Sequence, residues 1–405
     1  MKSGYDAGVL SRFGAFLLIA AAASFHCPGA PRRVDTTSAH AAVTHLPLVA
    51  PPATRAVHSE PVTEPPPKTV VVVVIDGARW QEIFSGTDSE LAKVHGIRKN
   101  ALCTGRELLP ELHRLIDDGG VALGAPERGA PISASGPAFV SVPGYIEIMS
   151  GRPAVDCPNN GCRFKGEHTL LSQMAALSTR GPADVAVFAS WPGLLRATIE
   201  AGGVLVSAGR RAGRNLDPIL DDPEATRLFE RGRHASSYPE PGDYRPDRNT
   251  AELALHHLRR HRPRFMLLSL GDADAYGHAN MYGHYLDALH ESDKVVGEVS
   301  RVLADLRAAG WPSTLFVTAD HGRDRRCRNH GARAPESARS FLIASGSGIA
   351  DHGYVSAPRA RRLADIAPTV RVLLGLEADR DPNAGVPLFE MLATPVDPRT
   401  ARLGT

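Results

Sequence analysis

In TLFVTADHGRDRRCRNHG (314–331) an apolar run ends in Asp320-His321-Gly322, four arginines crowd the next few positions, and His330 follows. Carboxylate and imidazole together suit borderline divalent cations, zinc above all. The same pairing recurs elsewhere. The run VVVVVID (70–76) ends at Asp76, and RFMLLSL (264–270) leads into GDADAYGH, which offers Asp272 or Asp274 and then His278. Asp274 and His278 are four apart, so one helical turn would present both on one face, and Asp274 is the preferred ligand of the two aspartates. Taken singly, His278 and His330 read more naturally as surface or core histidines. Three strand ends with metal-type side chains are a constellation. His256, His257, His284 and His290 fall on helix-like segments and read as packing or surface residues.

A hydroxyl stands ready in VSVPGYIEIMSGR (140–152), where Ser141 precedes Pro143 at the start of an expected helix. The plain reading is a helix N-cap serine. The chemical reading uses the same place: a helix N-terminus offers free N–H groups to an anionic ester, and a bound cation would lower the hydroxyl's pKa without a histidine base.

The elements that must position these residues are an alternation of buried strands and helices. VVVVVID is a continuous β-branched run, as expected of a strand covered on both faces of a parallel sheet. Similar runs stand at 184–190, 264–270, 314–320 and 341–346, with helical patterns between them at 250–261 and 285–310. The expected fold class is α/β, a mostly parallel central sheet with helices on both faces. In such sheets ligands collect outside the carboxyl ends of the strands, where the aspartates lie. The stretch from 156 to 249, rich in Gly, Pro and Arg, is expected to mix one or two strands with loops over the site.

These motifs resemble the alkaline phosphatase superfamily, which includes phosphodiesterases, sulfatases and phosphate mutases. The resemblance runs from Thr69 to about Leu376 and rests on VVIDGARW, SVPGYIEIMSGR, DADAYGH, TADHG and NHG, with LADIAPTVRVLLGL as the closing helix. It implies an alkaline phosphatase-like fold and two divalent metal ions. One would be held by Asp76, Asp320, His321 and the Ser141 oxygen, the other by Asp274, His278 and His330. It further implies a phosphoester hydrolase that works through a phosphoserine on Ser141. Two departures bear on the branch. Tyr145 stands where the sulfatase signature has Arg, which leaves a sulfatase as the alternative. Gly144 stands where the phosphodiesterase run carries a phosphate-binding Asn, so a phosphate partner is sought in Arg79 or Arg323. A non-catalytic, metal-binding relative is the reading from outside enzymology.

The 405 residues are 43% hydrophobic and 22% charged, ample for a core, and the net charge of +2 argues against a nucleic-acid partner. The expected partner is a small-molecule phosphoester. Residues 1–27 have the charged, apolar and small-residue layout of an export signal, too short for a membrane span, so a periplasmic or extracellular protein is expected. Cys27 is a candidate for a lipid anchor, although bulky Phe25 and His26 precede it. Residues 28–68 read as a Pro/Ala-rich linker and 69–395 as the catalytic domain. In an oxidising compartment CPNNGC suits a Cys157–Cys162 disulfide, with Cys103 and Cys327 left over, although four cysteines allow three pairings and the sequence alone does not choose among them.

Overall fold

The computed structural model describes residues 25–28, 68–129, 131–164, 169–198, 203–357 and 359–393. Most of the expected export segment and linker lies outside these residues. Among the described residues there are eleven strands: β1 Thr69–Ile75, β2 Val121–Leu123, β3 Ile132–Ser133, β4 Val185–Ala189, β5 Leu205–Ala208, β6 Ala212–Arg214, β7 Phe265–Leu270, β8 Ser313–Thr318, β9 Leu342–Gly346, β10 Gly353–Tyr354 and β11 Arg361–Arg362. Nine of them form one sheet in the order β10-β2-β9-β8-β1-β7-β4-β5-β6, and β11 pairs with β3 apart from it.

The centre of the sheet is parallel. β1 lies between β7 and β8, parallel to both, with Val70 opposite Phe265 and Thr314. The antiparallel pairs are β2 with β9, β8 with β9 and β5 with β6. Every residue of β1 is buried because both sheet faces are covered. Val71, Val73 and Ile75 join one apolar cluster with the helices Pro110–Asp117, Asp247–His261 and Tyr282–Ala308. Val70, Val72 and Val74 join the other, against Ser141–Ser150, Leu170–Ala176 and Ile366–Leu374. A strand covered on both faces has no reason to alternate polar with apolar, hence the unbroken valines.

Two expectations need correction. The region 156–249 supplies β4, β5 and β6, one whole flank of the sheet, as well as loop residues over the site. Its last two strands are too short to register as apolar runs. Among the cysteines, Cys157 and Cys162 are bonded as expected, but Cys103 is bonded to Cys27, and Cys327 is free and buried. That bond occupies the sulfur a lipid would need. Phe25, two residues before Cys27, is buried in the core beside Gly283. Among the described residues no helix is long and apolar enough to cross a membrane.

Candidate active site

Because β1, β7 and β8 are adjacent and parallel, their carboxyl ends open on one edge of the sheet. Asp76 follows β1, Asp320 follows β8, and the helix Asp272–His278 begins just after β7. The Ser141–Ser150 helix points its first turn at the same edge. Its N-cap is Val140, so Ser141 is the first helical residue and its side chain caps nothing. Instead Ser141 Oγ lies 3.3 Å from His321 Nε2 and 3.5 Å from Asp76 Oδ1.

Two glycines make this approach possible. A Cβ on Gly144 would stand 2.5 Å from the Asp320 carbonyl oxygen, so the helix can rest on the end of β8 only without a side chain there. This also explains why position 144 holds no Asn. Gly77, at φ +63°, lets the chain leave β1 where a Cβ would meet Asp274 Oδ1 at 2.5 Å.

The ligand-type side chains converge without satisfying one another. His321 Nδ1 lies 2.9 Å from the Gly322 carbonyl, to which it must donate, and this leaves the Nε2 lone pair facing Ser141, Asp76 at 3.5 Å and Asp320 at 3.4 Å. His330 is set the same way. Its Nδ1 donates to the Phe139 carbonyl at 3.1 Å, and its Nε2 lies 2.9 Å from His278 Nε2 and 3.8 Å from Asp274 Oδ1. Burial pushes His321 down to about 4 and His330 down to about 3, so both rings are neutral donors of a lone pair at pH 7.

The carboxylates show the opposite strain. Burial, reinforced by Asp274, pushes Asp320 up to about 7, and burial with Asp320 and Asp274 raises Asp76 well above its usual value. Asp320 Oδ1 accepts the Gly77 N–H at 3.2 Å, while the buried Oδ2 has no hydrogen-bond partner. An orphaned buried carboxylate oxygen beside a neutral imidazole lone pair fits a cation. Among the described residues two trios bring their donor atoms within 4.8 Å of one another: Asp76, Asp320 and His321, and Asp274, His321 and His330. The second trio takes His321 where His278 was expected. His278 stays at its rim, 3.2 Å from Asp274 and about half exposed.

Asp272, the competing aspartate, turns away to accept the Tyr244 hydroxyl at 2.8 Å. Neither arginine sought as a phosphate partner reaches the cavity freely. Arg79 is buried against Glu82 at 3.3 Å and Asp88 at 3.4 Å. Arg323, also buried, binds Asp274 and the carbonyls of Cys327 and Arg328. Burial works against an ionised Asp274, but Arg323, His278 and His330 together hold it well below the usual carboxylate range. Both arginines are consumed by acids close to them in space.

The cavity over the site measures about 160 Å³ and is lined by Ser141, Asp76 and His330 together with Asn160, Glu240 and Tyr244. Asn160 belongs to the CPNNGC stretch. Its Oδ1 accepts the Val142 N–H at 2.9 Å, so the Cys157–Cys162 loop is folded over the first turn of the Ser141 helix. Tyr145, read as a departure from a signature, donates its hydroxyl to Asp76 Oδ2 at 3.2 Å and shares a 2.7 Å bond with Ser269.

Residues 243–378 match the family model described as Metalloenzyme superfamily. Over 167 residues the chain is 30% identical to a 2,3-bisphosphoglycerate-independent phosphoglycerate mutase of Rhodopirellula baltica, which is 39% of this chain and 28% of that protein. Over 118 residues it is 29% identical to the same enzyme of Cronobacter sakazakii, 29% of this chain and 22% of that one. The chain thus matches less than a third of the length of these relatives. Among solved structures, the phosphonate monoester hydrolase of Silicibacter pomeroyi superposes with a TM-score of 0.50 at 16% identity, covering 82% of this chain and 78% of that one. The BT4656 protein, solved with D-glucosamine-2-N,6-O-disulfate, gives 0.50 at 14% identity, covering 82% of each chain. The fold is alkaline phosphatase-like, and the match over 243–378 bears out the resemblance to that superfamily of metalloenzymes.

Proposed function

We propose that this chain is a phosphoric ester hydrolase with Ser141 as its nucleophile and two divalent cations, zinc in both places. The observation that carries the reading is the Ser141 hydroxyl, which caps no helix and instead faces His321 and Asp76 in the cavity. Asp76, Asp320, His321 and Ser141 would hold one cation, and Asp274, His278 and His330 the other, with His321 near enough to serve both. The first set carries two carboxylates. The second carries one, already countered by Arg323, so it is the weaker site. When bound, such cations lower the pKa of a hydroxyl and neutralise charge on the ester.

In the proposed course the Ser141 oxygen forms a bond to phosphorus and the alcohol leaves with a proton. Water then cleaves the phosphoserine, releasing phosphate and restoring the serine. The Asn160 amide, with its oxygen engaged by Val142, offers its N–H groups to an ester oxygen. Tyr145 orients Asp76 through its hydroxyl. It stands where the sulfatase signature has arginine, which supports the phosphoester reading over the sulfatase one. The two disulfides support an exported protein.

A panel of 4-nitrophenyl phosphate, bis-4-nitrophenyl phosphate and 4-nitrophenyl sulfate tests the reading. Hydrolysis of a phosphate ester, with phosphate trapped on Ser141 after acid quench, is the expected result. Hydrolysis of the sulfate alone would replace this reading with the sulfatase one. Elemental analysis should find about two equivalents of metal.

A further inference from the structure

The arginines after His321 find no use in the chemistry just described, apart from Arg323. Arg325, Arg326 and Arg333 instead line a second cavity, of about 560 Å³, whose wall includes His330. That histidine also lines the cavity over Ser141, so the two spaces adjoin. All three arginines are exposed, and among the described residues none of them forms an ion pair. Two carboxylates share the wall, but each is engaged with the backbone. Asp324 accepts N–H groups from Arg326 at 3.2 Å and Arg328 at 2.9 Å and the Asn329 amide at 3.2 Å, and Glu336 accepts the Arg325 N–H at 3.4 Å. Asp324 thereby ties the loop so that its arginine side chains stand outward. Like charges so gathered repel one another, and the crowding is relieved by an anion that several guanidiniums can grip in bidentate fashion.

We infer that this cavity is an anion subsite, and that the substrate carries a second phosphate-type group beyond the ester that is cleaved. The inference rests on the reading of the Ser141 cavity as the place of ester cleavage. The loop that brings His330 to the site brings the arginines too, so the reacting ester and the second anion are held from one segment. The subsite acts through affinity, since the arginines do not touch the Ser141 cavity. Its pull is short-ranged at physiological salt, where charge interactions fade over roughly 8 Å.

The test uses the full, metal-loaded protein and a pair of competing ligands, thymidine 5′-phosphate and thymidine 3′,5′-bisphosphate, against whichever nitrophenyl phosphate ester is hydrolysed. The bisphosphate should inhibit at least about tenfold more tightly. In the triple variant Arg325→Gln/Arg326→Gln/Arg333→Gln that preference should vanish, while kcat/KM for the nitrophenyl ester and the melting temperature stay as they were. The triple lysine variant should keep part of the preference, because charge without the guanidinium fork remains. Equal inhibition by the two ligands, or a preference that survives in the glutamine variant, overturns the subsite. If no ester is hydrolysed, the hydrolase reading fails by itself. Calorimetric titration of the same two ligands onto wild type and variant then decides the subsite: tighter bisphosphate binding lost in the variant supports it, and equal binding overturns it.

Discussion

Two groups of aspartates gather around the carboxyl ends of β1, β7 and β8, and only one of them is completed by the protein. Behind the Ser141 cavity, Asp247 accepts the Ser190 hydroxyl at 2.5 Å and the N–H groups of Gly271 at 2.7 Å and Asp272 at 2.9 Å. Asp272 in turn accepts the Tyr244 hydroxyl and the Asp247 N–H at 3.3 Å. Each carboxyl oxygen of that pair has a donor. In the cavity, Asp76 and Asp320 receive long or few bonds, and Asp320 Oδ2 receives none. The residue type is the same, and burial raises the pKa in both groups. The difference lies in the supply of donors. A carboxylate pair furnished with hydroxyls and amides is a structural knot. One left short beside two imidazole lone pairs is built for a cation.

The largest expected effect falls on Ser141, which belongs to the unfinished group. Ser141→Ala should lower kcat for the hydrolysed ester by on the order of a thousandfold or more. Stability should change by less than about 1 kcal/mol, because the hydroxyl caps no helix. Steady-state kinetics and thermal melts of the same preparation measure both. A variant that keeps its rate but melts early would make Ser141 a structural residue and erase the distinction between the groups.

Removing metal comes next. Without a cation, Asp320 has a folded pKa of about 7, above its unfolded value, so its proton-bound form is the one the fold favours. That contribution is present at low pH and is lost as pH rises from about 4 to about 7, by up to roughly 1.4 kcal/mol per pH unit. A cation takes the proton's place. The gap in melting temperature between metal-loaded and chelator-treated protein should therefore widen from pH 5.5 to pH 8. Asp247 titrates in both forms and cancels from the difference. A gap of the same size at both pH values would mean that the Asp76–Asp320 group does not hold the metal.

What could be read in the sequence follows a physical divide. Strands buried on both faces announce themselves as unbroken runs, and a parallel arrangement sends their ends to one edge. Asp76, Asp274, Asp320, His321 and His330 were therefore legible together. The reach of long side chains was not. Arg79 and Arg323 look like free cations in a string of letters, yet each meets an acid far away in sequence or across a turn and is buried by it. Asn160 was hidden for another reason, because its place depends on a disulfide-closed loop lying over a helix turn, where it meets Val142, 18 residues earlier. The Cys27–Cys103 bond spans 76 residues, beyond any local spacing rule. Short strands such as β5 and β6 carry too few residues to show a period.

The smaller effect, and the sharper test of the comparison, lies with the completed group. Asp247→Asn keeps the shape but turns an amide N–H toward the Asp272 N–H, losing an acceptor at a cost of about 1–3 kcal/mol. The pH dependence of that loss carries the information. Burial, with Asp272 adding to it, pushes Asp247 up to about 8, so wild type draws stability from the proton-bound form at low pH and loses it as pH rises from about 4 to about 8. Asparagine does not titrate. The variant's deficit should therefore be largest near pH 5.5 and shrink toward pH 8.5, while its metal content matches wild type. Denaturant melts at the two pH values, with elemental analysis alongside, measure this directly. If the deficit stayed constant with pH and metal were lost as well, the two aspartate groups would be a single coupled unit, and donor supply would not be what separates them.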